Sequence, residues 1–185
     1  MKDERGMIIY IGKATRLRSR VQSYFVATSQ TAKIAALKDA IATIEYIETP
    51  TEVEALLLEA HLINRYKPRY NTLFRDDKSY PLLNITDDEF PRLLITRTRL
   101  HPAGTLYGPY TDASLLRRAV AIIHRVFRIR KCKTLPKAPC LYYHINQCLA
   151  PCIKPDCKAA YTSMINDIKD FLSGDKTSFV AYVTE

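Results

Sequence analysis

A phenol, an ammonium and a guanidinium follow one another closely near the start of the sequence. Tyr10 and Lys13 flank Gly12, and Arg20 and Tyr24 follow a few helical turns later. Phosphodiester cleavage needs a divalent cation near the phosphate, a proton acceptor for water and donors for the charge that develops. Because a guanidinium binds phosphate through two parallel hydrogen bonds, Arg20 suits the donor role.

One carboxylate can complete this group. Glu59 lies at the margin of the apolar stripe of a predicted helix. Mg²⁺ prefers oxygen ligands and keeps much of its water, so a single carboxylate is a sufficient anchor. Taken singly, such a glutamate is usually just solvated, and a Lys/Arg helix face is usually an ordinary surface. The combination of these residue types favours metal-assisted cleavage of a phosphodiester.

Four cysteines form a second group with chemical potential. Cys132, Cys140, Cys148 and Cys152 are spaced Cx7Cx7Cx3C, unlike the Cx2C pairs of zinc ribbons, and Cys157 is a fifth. A free cysteine is often a small buried apolar residue. Four of them in one basic segment instead suit zinc or an iron–sulfur cluster, and the spacing leaves that choice open.

The surplus charge of the chain comes from the same segment. The 185 residues include 28 Lys+Arg and 19 Asp+Glu, a formal charge of +9. Residues 113–155 hold nine basic residues and no acidic residue. In the rest of the chain the numbers of basic and acidic residues are therefore equal. Clustered basic residues bind nucleic acid by releasing counterions, although a solvated basic face is the plainer alternative. The side chains expected to contact DNA phosphate are Arg16, Arg117, Arg118, Arg125 and Arg128.

The composition excludes several classes of protein. A hydrophobic fraction of 47% and a charged fraction of 25% are typical of a soluble globular protein rather than a disordered one. Apolar runs are too short to cross a bilayer, and no secretory signal is visible. A cytoplasmic location is therefore expected, with the cysteines reduced or metal-bound rather than paired in disulfides.

Hydrophobic periodicity predicts the elements that position these groups. Strands are predicted at 7–12, 43–49, 80–86, 92–96 and 105–108, and helices at 14–25, 32–42, about 52–65, about 113–127 and 158–172. The third helix begins with a capping box, either Thr49 with Glu52 or Thr51 with Glu54, and the two registers are not separable from sequence. Asp112 is expected to cap the fourth helix.

The fourth helix is predicted to be amphipathic. Its apolar side includes Ile122, and its opposite face carries His124 together with the four arginines from Arg117 to Arg128. Such a face can lie against duplex phosphate.

Motifs along nearly the whole chain resemble the UvrC/Cho family. Residues 9–14 (Ile-Tyr-Ile-Gly-Lys-Ala), with 17–20 and 23–25, resemble the second half of a GIY-YIG nuclease motif. Further segments resemble UvrC specifically: 52–60, 66–71, 75–81 and 107–110. The Pro-Cys-Leu-Tyr stretch at 139–142 and the Cys-Leu-Ala-Pro-Cys stretch at 148–152 match the cysteine block of the family.

The resemblance implies an α+β protein with a GIY-YIG nuclease fold, in which helices flank a small antiparallel sheet. The first strand, which carries a tyrosine in the family, is expected to be missing, so that 1–71 is an N-terminally truncated nuclease domain. Residues 72–185 are expected to form linker hairpins, the basic helix and the cysteine-cluster region, with a soft boundary near 71–77.

The resemblance also implies residue roles and cofactors. Glu59 would bind a single Mg²⁺ or Mn²⁺, and Arg20 would stabilise the phosphate. Tyr10, Lys13 and Tyr24 would line the site, and Asn71 would support its edge. The four cysteines Cys132, Cys140, Cys148 and Cys152 would hold a 4Fe-4S cluster, with zinc as the alternative.

The implied activity is that of a structure-specific endonuclease in nucleotide excision repair and the SOS response. It would nick damaged double-stranded DNA 3′ of a lesion, with UvrB as partner and UvrA indirectly, although the UvrB-docking segment is not expected in this chain. The alternative is a catalytically impaired DNA-binding module with a structural iron–sulfur cluster. A homing or restriction nuclease is disfavoured by the cysteine block and by residues 78–81.

Overall fold

Contacts divide the chain into two compact units. The computed structural model describes residues 1–26, 32–72, 80–97 and 103–174. The first unit is Met1–Ser79 and the second is Tyr80–Glu185. Most of the soft boundary expected at 71–77 lies outside the described residues. No helix in the described part of the chain is long and apolar enough to span a bilayer.

The described residues of the first unit form four helices: α1 (Leu17–Val26), α2 (Ala32–Ala40), α3 (Glu52–Tyr66) and α4 (Arg69–Thr72). The N-cap of α3 is Thr51, whose side chain accepts a hydrogen bond from the Glu54 amide at 3.2 Å. This selects the second of the two predicted capping registers. The helix ends at Lys67, which adopts a left-handed conformation, and Pro68 cannot continue it.

Extended backbone in the first unit is paired only at isolated positions. Lys2 bridges to Ile8 on one side and to Thr43 on the other, both antiparallel. The Lys2 amide donates to the Thr43 carbonyl at 2.8 Å. Among the described residues of this unit, no longer ladder forms.

The strands predicted at 7–12 and 43–49 are therefore wrong as continuous strands. Side-chain alternation identifies extended backbone but does not supply a neighbour for it to pair with. In the second of these segments the alternating residues are also uncovered, since Tyr46 is 69% exposed and Ile47 is 60% exposed.

A small apolar cluster holds the first unit together around the end of the extended segment. Its buried members are Ile9, Tyr24, Leu37 and Tyr70. The Tyr70 amide donates to the Ile9 carbonyl at 3.0 Å, and the Tyr70 hydroxyl donates to the Ala36 carbonyl at 2.9 Å. Tyr70 therefore ties α4 to both α2 and the extended segment, which fixes the backbone that carries Tyr10.

The second unit contains the sheet of this α+β fold. Its three antiparallel strands are β1 (Leu82–Thr86), β2 (Leu93–Thr96) and β3 (Gly104–Tyr107), in the order β2-β1-β3. Leu83 faces Ile95 on one side and Tyr107 on the other. These three strands and the α+β class confirm the prediction.

Helices follow the sheet: α5 (Ala113–Val126), the short α6 (Leu141–His144) and α7 (Lys158–Ser173). Asp112 caps α5, because its carboxylate accepts a hydrogen bond from the Leu115 amide at 2.9 Å. Gly174 ends α7 with a φ of 93°. The cap of α5 at Asp112 agrees with the prediction, and α7 agrees with the helix predicted at 158–172.

Candidate active site and cysteine segment

The residues predicted for the catalytic site converge on one short stretch of backbone, Tyr10 to Lys13. The six are Tyr10, Lys13, Arg20, Tyr24, Glu59 and Asn71. Two of them lie in the stretch, Glu59 and Asn71 hydrogen-bond to its main chain, and Tyr24 and Arg20 interact with the Tyr10 hydroxyl. The described structure therefore brings together side chains from α1, α3 and α4.

Two tyrosines and an arginine form one side of this site. The Tyr24 hydroxyl donates to the Tyr10 hydroxyl at 2.9 Å, and the two rings pack edge to face with centroids 5.8 Å apart. The Arg20 guanidinium interacts electrostatically with both hydroxyls, and its central carbon lies 5.1 Å from the centre of the Tyr24 ring. Arg20 is thus held beside the two tyrosines, in part by a cation–π contact.

Burial raises the pKa of Tyr10 above its ordinary range, and the adjacent Tyr24 acts in the same direction. Tyr10 therefore presents a neutral hydroxyl at physiological pH. A neutral phenol beside Arg20 can orient water or phosphate through hydrogen bonds.

Gly12 lets the Tyr10 ring fold back over the backbone. A Cβ at this position would lie 2.8 Å from the Tyr10 hydroxyl oxygen and 3.0 Å from its Cε1. The absence of a side chain at Gly12 therefore makes room for the neighbouring tyrosine ring.

Glu59 faces the same stretch from the middle of α3. Its Oε1 accepts a hydrogen bond from the Lys13 main-chain amide at 3.1 Å, and the residue is 7% exposed. Leu56, Ala60 and Ile63 are buried on the same helix and set its rotation. The carboxylate thus lies on the inward side of α3, next to the backbone between Tyr10 and Lys13.

The Asn71 side chain hydrogen-bonds to the main chain of Ile11. Its Oδ1 accepts from the Ile11 amide and its Nδ2 donates to the Ile11 carbonyl, both at 2.7 Å. This pair of bonds satisfies both main-chain groups of Ile11 as a neighbouring strand would. Asn71 therefore holds the main chain of Ile11 from the α4 side.

The cysteines of the second unit are neighbours with free thiols. Cys148 is buried, and Cys132, Cys140 and Cys152 are partly buried. Burial raises the pKa of the Cys148 thiol, and the other three thiols add to the rise, so all three lie within electrostatic range. The Ala150 amide donates to the Cys148 sulfur at 3.3 Å.

No group of three or more His, Cys, Asp or Glu side chains among the described residues is arranged to hold one metal ion. A single zinc ion would draw four sulfurs to about 2.3 Å from one centre. In a four-iron cluster each cysteine binds a different iron, so the sulfurs stand farther apart. A zinc ion and a four-iron cluster therefore require different spacings of the four sulfurs.

A buried arginine organises the start of the cysteine segment, and sequence reasoning missed it. Arg130, which had been counted only as one of the basic residues, is 4% exposed. Its Nε donates to the Phe90 carbonyl at 2.6 Å, its Nη1 to the Cys132 carbonyl at 3.0 Å, and its Nη2 to Asp88 at 2.9 Å. The only sequence signal is slight: a charged residue that directly follows the apolar Ile129.

The predicted DNA-contacting arginines are partly exposed. Arg117, Arg118 and Arg125 lie on the exposed side of α5, and Arg16 is exposed next to α1. Arg128 is partly buried, and its Nη1 donates to the Asn146 side chain at 2.9 Å.

Two residues of α5 were assigned to the wrong side of the helix. His124 is buried at 7% exposure, whereas Ile122 is 41% exposed. Positions 117, 118, 121, 122 and 125 share one stripe at helical spacing, which carries Ile122 outward with the arginines and turns His124 inward. Burial lowers the pKa of His124 to about 4, with Lys131 as a second cause.

Two protein-family models match this chain. The model described as a UvrC-like GIY-YIG domain matches residues 1–72, and the model described as a UvrC/Cho excinuclease middle domain matches residues 80–171. The first unit is therefore of the GIY-YIG class, and the second is of the UvrC middle-domain class.

One relative extends this comparison across both units. The chain is 47% identical over 176 residues, 95% of its length, to UvrABC system protein C of Desulfitobacterium hafniense (strain Y51). It spans 29% of that relative's length. The chain belongs to the UvrC/Cho family and is a UvrC-like region.

Proposed function

We propose that the chain is a metal-dependent DNA endonuclease module of nucleotide excision repair, which hydrolyses a phosphodiester 3′ of a lesion. The observation that carries the proposal is that the Glu59 carboxylate and the Tyr10–Tyr24–Arg20 group both contact residues of the short segment from Tyr10 to Lys13. Membership of the UvrC/Cho family supports DNA as the substrate class.

The proposed roles combine these contacts with the chemistry of each side chain. Glu59 supplies the oxygen ligand for Mg²⁺ or Mn²⁺, which, when bound, polarises the phosphate and activates water. Arg20 binds phosphate oxygens as charge develops, and the two tyrosine hydroxyls hold it in place. Asn71 keeps the backbone between Tyr10 and Lys13 in position for both.

We propose that Cys132, Cys140, Cys148 and Cys152 hold a 4Fe-4S cluster with a structural role. Support comes from the electrostatic effect of the other three thiols on Cys148 and from the resemblance of residues 139–142 and 148–152 to the cysteine block of the family. Zinc is the alternative. In either case the bound group would fix the loops that follow α5.

The proposed partners are damaged double-stranded DNA, UvrB and, indirectly, UvrA. The relative is named as a component of a UvrABC system, which supports this association. We propose a cytoplasmic location for the same reason.

A DNA-binding module without nuclease activity is the second candidate. It is favoured by the concentration of the surplus positive charge in residues 113–155 and by the exposed arginines of α5. Such a module would hold duplex DNA through phosphate contacts alone.

A nicking assay separates the two candidates. The chain is incubated with lesion-bearing, bubbled and intact duplexes and with Mg²⁺ or Mn²⁺. Glu59→Gln keeps an oxygen for the Lys13 amide but removes the charge, and Glu52→Ala removes an exposed carboxylate from the same helix. Metal-dependent nicking that Glu59→Gln loses and Glu52→Ala keeps supports the nuclease. Equal DNA binding by all three proteins without nicking supports the binding module.

A further inference from the structure

The loop between the second and third cysteines exposes apolar side chains. Leu141 is 69% exposed, Ile145 is 48% exposed and Tyr142 is 38% exposed, all within or next to α6. Single exposed apolar residues are common on protein surfaces, but three within five positions form a patch.

Basic side chains lie on the aromatic rings of this loop. The Lys131 Nζ is 4.1 Å from the centre of the Tyr142 ring, and the Lys154 Nζ is 5.0 Å from the centre of the Tyr143 ring. No acidic residue occurs from 113 to 155. The patch therefore combines aliphatic, aromatic and cationic groups without a negative charge to oppose a polyanion.

The backbone of the loop is held in a defined shape. The Gln147 amide donates to the Tyr142 carbonyl at 2.7 Å, and Asn146 takes a positive φ of 57°. The Leu149 amide donates to the Arg128 carbonyl at 2.9 Å, which ties the far end of the loop to the segment after α5. The apolar side chains consequently project from an ordered turn.

We infer that the surface formed by Leu141, Tyr142 and Ile145 contacts unstacked bases in distorted DNA. Lysines beside the rings attract phosphate, tyrosine offers a face on which a base can stack, and aliphatic side chains fill gaps between separated bases. An intact duplex hides its base faces, so only unpaired or unstacked DNA can use the patch. This inference rests on the proposed function and deepens it by naming the DNA structure that is recognised.

Lysine is depleted at protein–protein interfaces, which makes a protein partner a poorer fit. An anionic lipid surface also attracts lysine and tyrosine side chains. A vesicle-binding measurement distinguishes lipid binding from DNA binding.

The test compares fluorescence anisotropy on a bubbled duplex and on a matched intact duplex at the same salt concentration. We expect the chain to bind the bubble about tenfold more tightly, and Tyr142→Ala and Leu141→Ala each to lose most of that preference while duplex binding is unchanged. Tyr142→Phe keeps the ring and should keep the preference. Tyr46→Ala removes an exposed tyrosine from the first unit and serves as control.

A second readout follows base stacking directly. A 2-aminopurine placed in the bubble is quenched when it stacks, so the chain should quench it and Tyr142→Ala should not. Equal affinity for bubble and duplex, or a preference that both alanine variants retain, overturns the inference. Loss of binding to phosphatidylserine vesicles in Tyr142→Ala, with bubble binding intact, also overturns it.

The outcome is separable from that of the nuclease proposal. A bubble preference that depends on Tyr142, in a chain that shows no metal-dependent nicking, supports the inference and contradicts the nuclease. Nicking that depends on Glu59, together with equal affinity for bubble and duplex, supports the nuclease and contradicts the inference.

Discussion

The guanidinium of Arg130 lies 2.9 Å from a carboxylate oxygen of Asp88, so the turn between β1 and β2 is bonded to the start of the cysteine segment. The same guanidinium donates to the carbonyls of Phe90 and Cys132. One buried side chain thus connects a hairpin to the residue proposed as the first cluster ligand.

Replacing Arg130 with Met should destabilise the second unit by about 2–4 kcal/mol, because buried carbonyls lose their donor. Urea unfolding followed by circular dichroism measures the change. Arg125→Met, on the exposed side of α5, is the matched control and should change the free energy of unfolding by less than about 0.5 kcal/mol. Equal effects of the two substitutions would contradict the proposed connection.

Gly12→Ala should disturb the Tyr10 ring, since the new Cβ would lie 2.8 Å from its hydroxyl oxygen. We expect a loss of about 1 kcal/mol in stability and a larger relative loss of nicking. A double-mutant cycle with Tyr10→Ala checks the cause. In the Tyr10→Ala background the glycine substitution should cost almost nothing; an unchanged cost would show that another contact is responsible.

Asn71→Ala should cost about 2 kcal/mol of stability, because it removes both hydrogen bonds to Ile11. Asn64→Ala, at an exposed position of α3, is the control and should be nearly neutral. Thermal unfolding of the two variants measures the difference. Asn71→Asp keeps the acceptor but places a second oxygen against the Ile11 carbonyl, so it should not restore stability.

His124 should make the second unit sensitive to acid. Its folded-state pKa of about 4 lies below the ordinary value of 6.5, so the stability is fully present above pH 6.5 and is lost as the pH falls toward 4. At pH 5 we expect a loss of about 1–2 kcal/mol. His124→Met should flatten this part of the pH profile of urea unfolding, whereas substitution of the exposed His144 by Asn should leave it unchanged.

Anaerobic purification should yield a brown protein with visible thiolate-to-iron absorbance and iron bound per chain. Removal of the iron should lower the stability of the second unit, because the loops after α5 lose their common anchor. A colourless preparation with one zinc per chain would overturn the assignment of iron. Cys157→Ser should leave the iron content unchanged, since the fifth cysteine is outside the proposed set.

Local signals explain what could be predicted from sequence. The start of α5 follows from Asp112, and that of α3 from a capping box whose register, at Thr51, only the structure decides. The strands of the sheet were recognisable because turn residues and prolines bound them. Grouping Glu59 with the tyrosines and arginine relied on residue types and on the family resemblance.

Non-local packing explains what could not be predicted. Whether residues 43–49 pair depends on a neighbouring backbone, which no local alternation reveals. The burial of Arg130 depends on Asp88 and Phe90, about forty positions earlier in the chain. His124 was assigned to the exposed face because the predicted apolar face of α5 included Ile122 in its place.

The Glu59 carboxylate accepts a hydrogen bond from the main-chain amide at position 13. Every residue except proline supplies that amide. Proline at position 13 would therefore remove this hydrogen bond to the carboxylate, whereas every other substitution there keeps the donor.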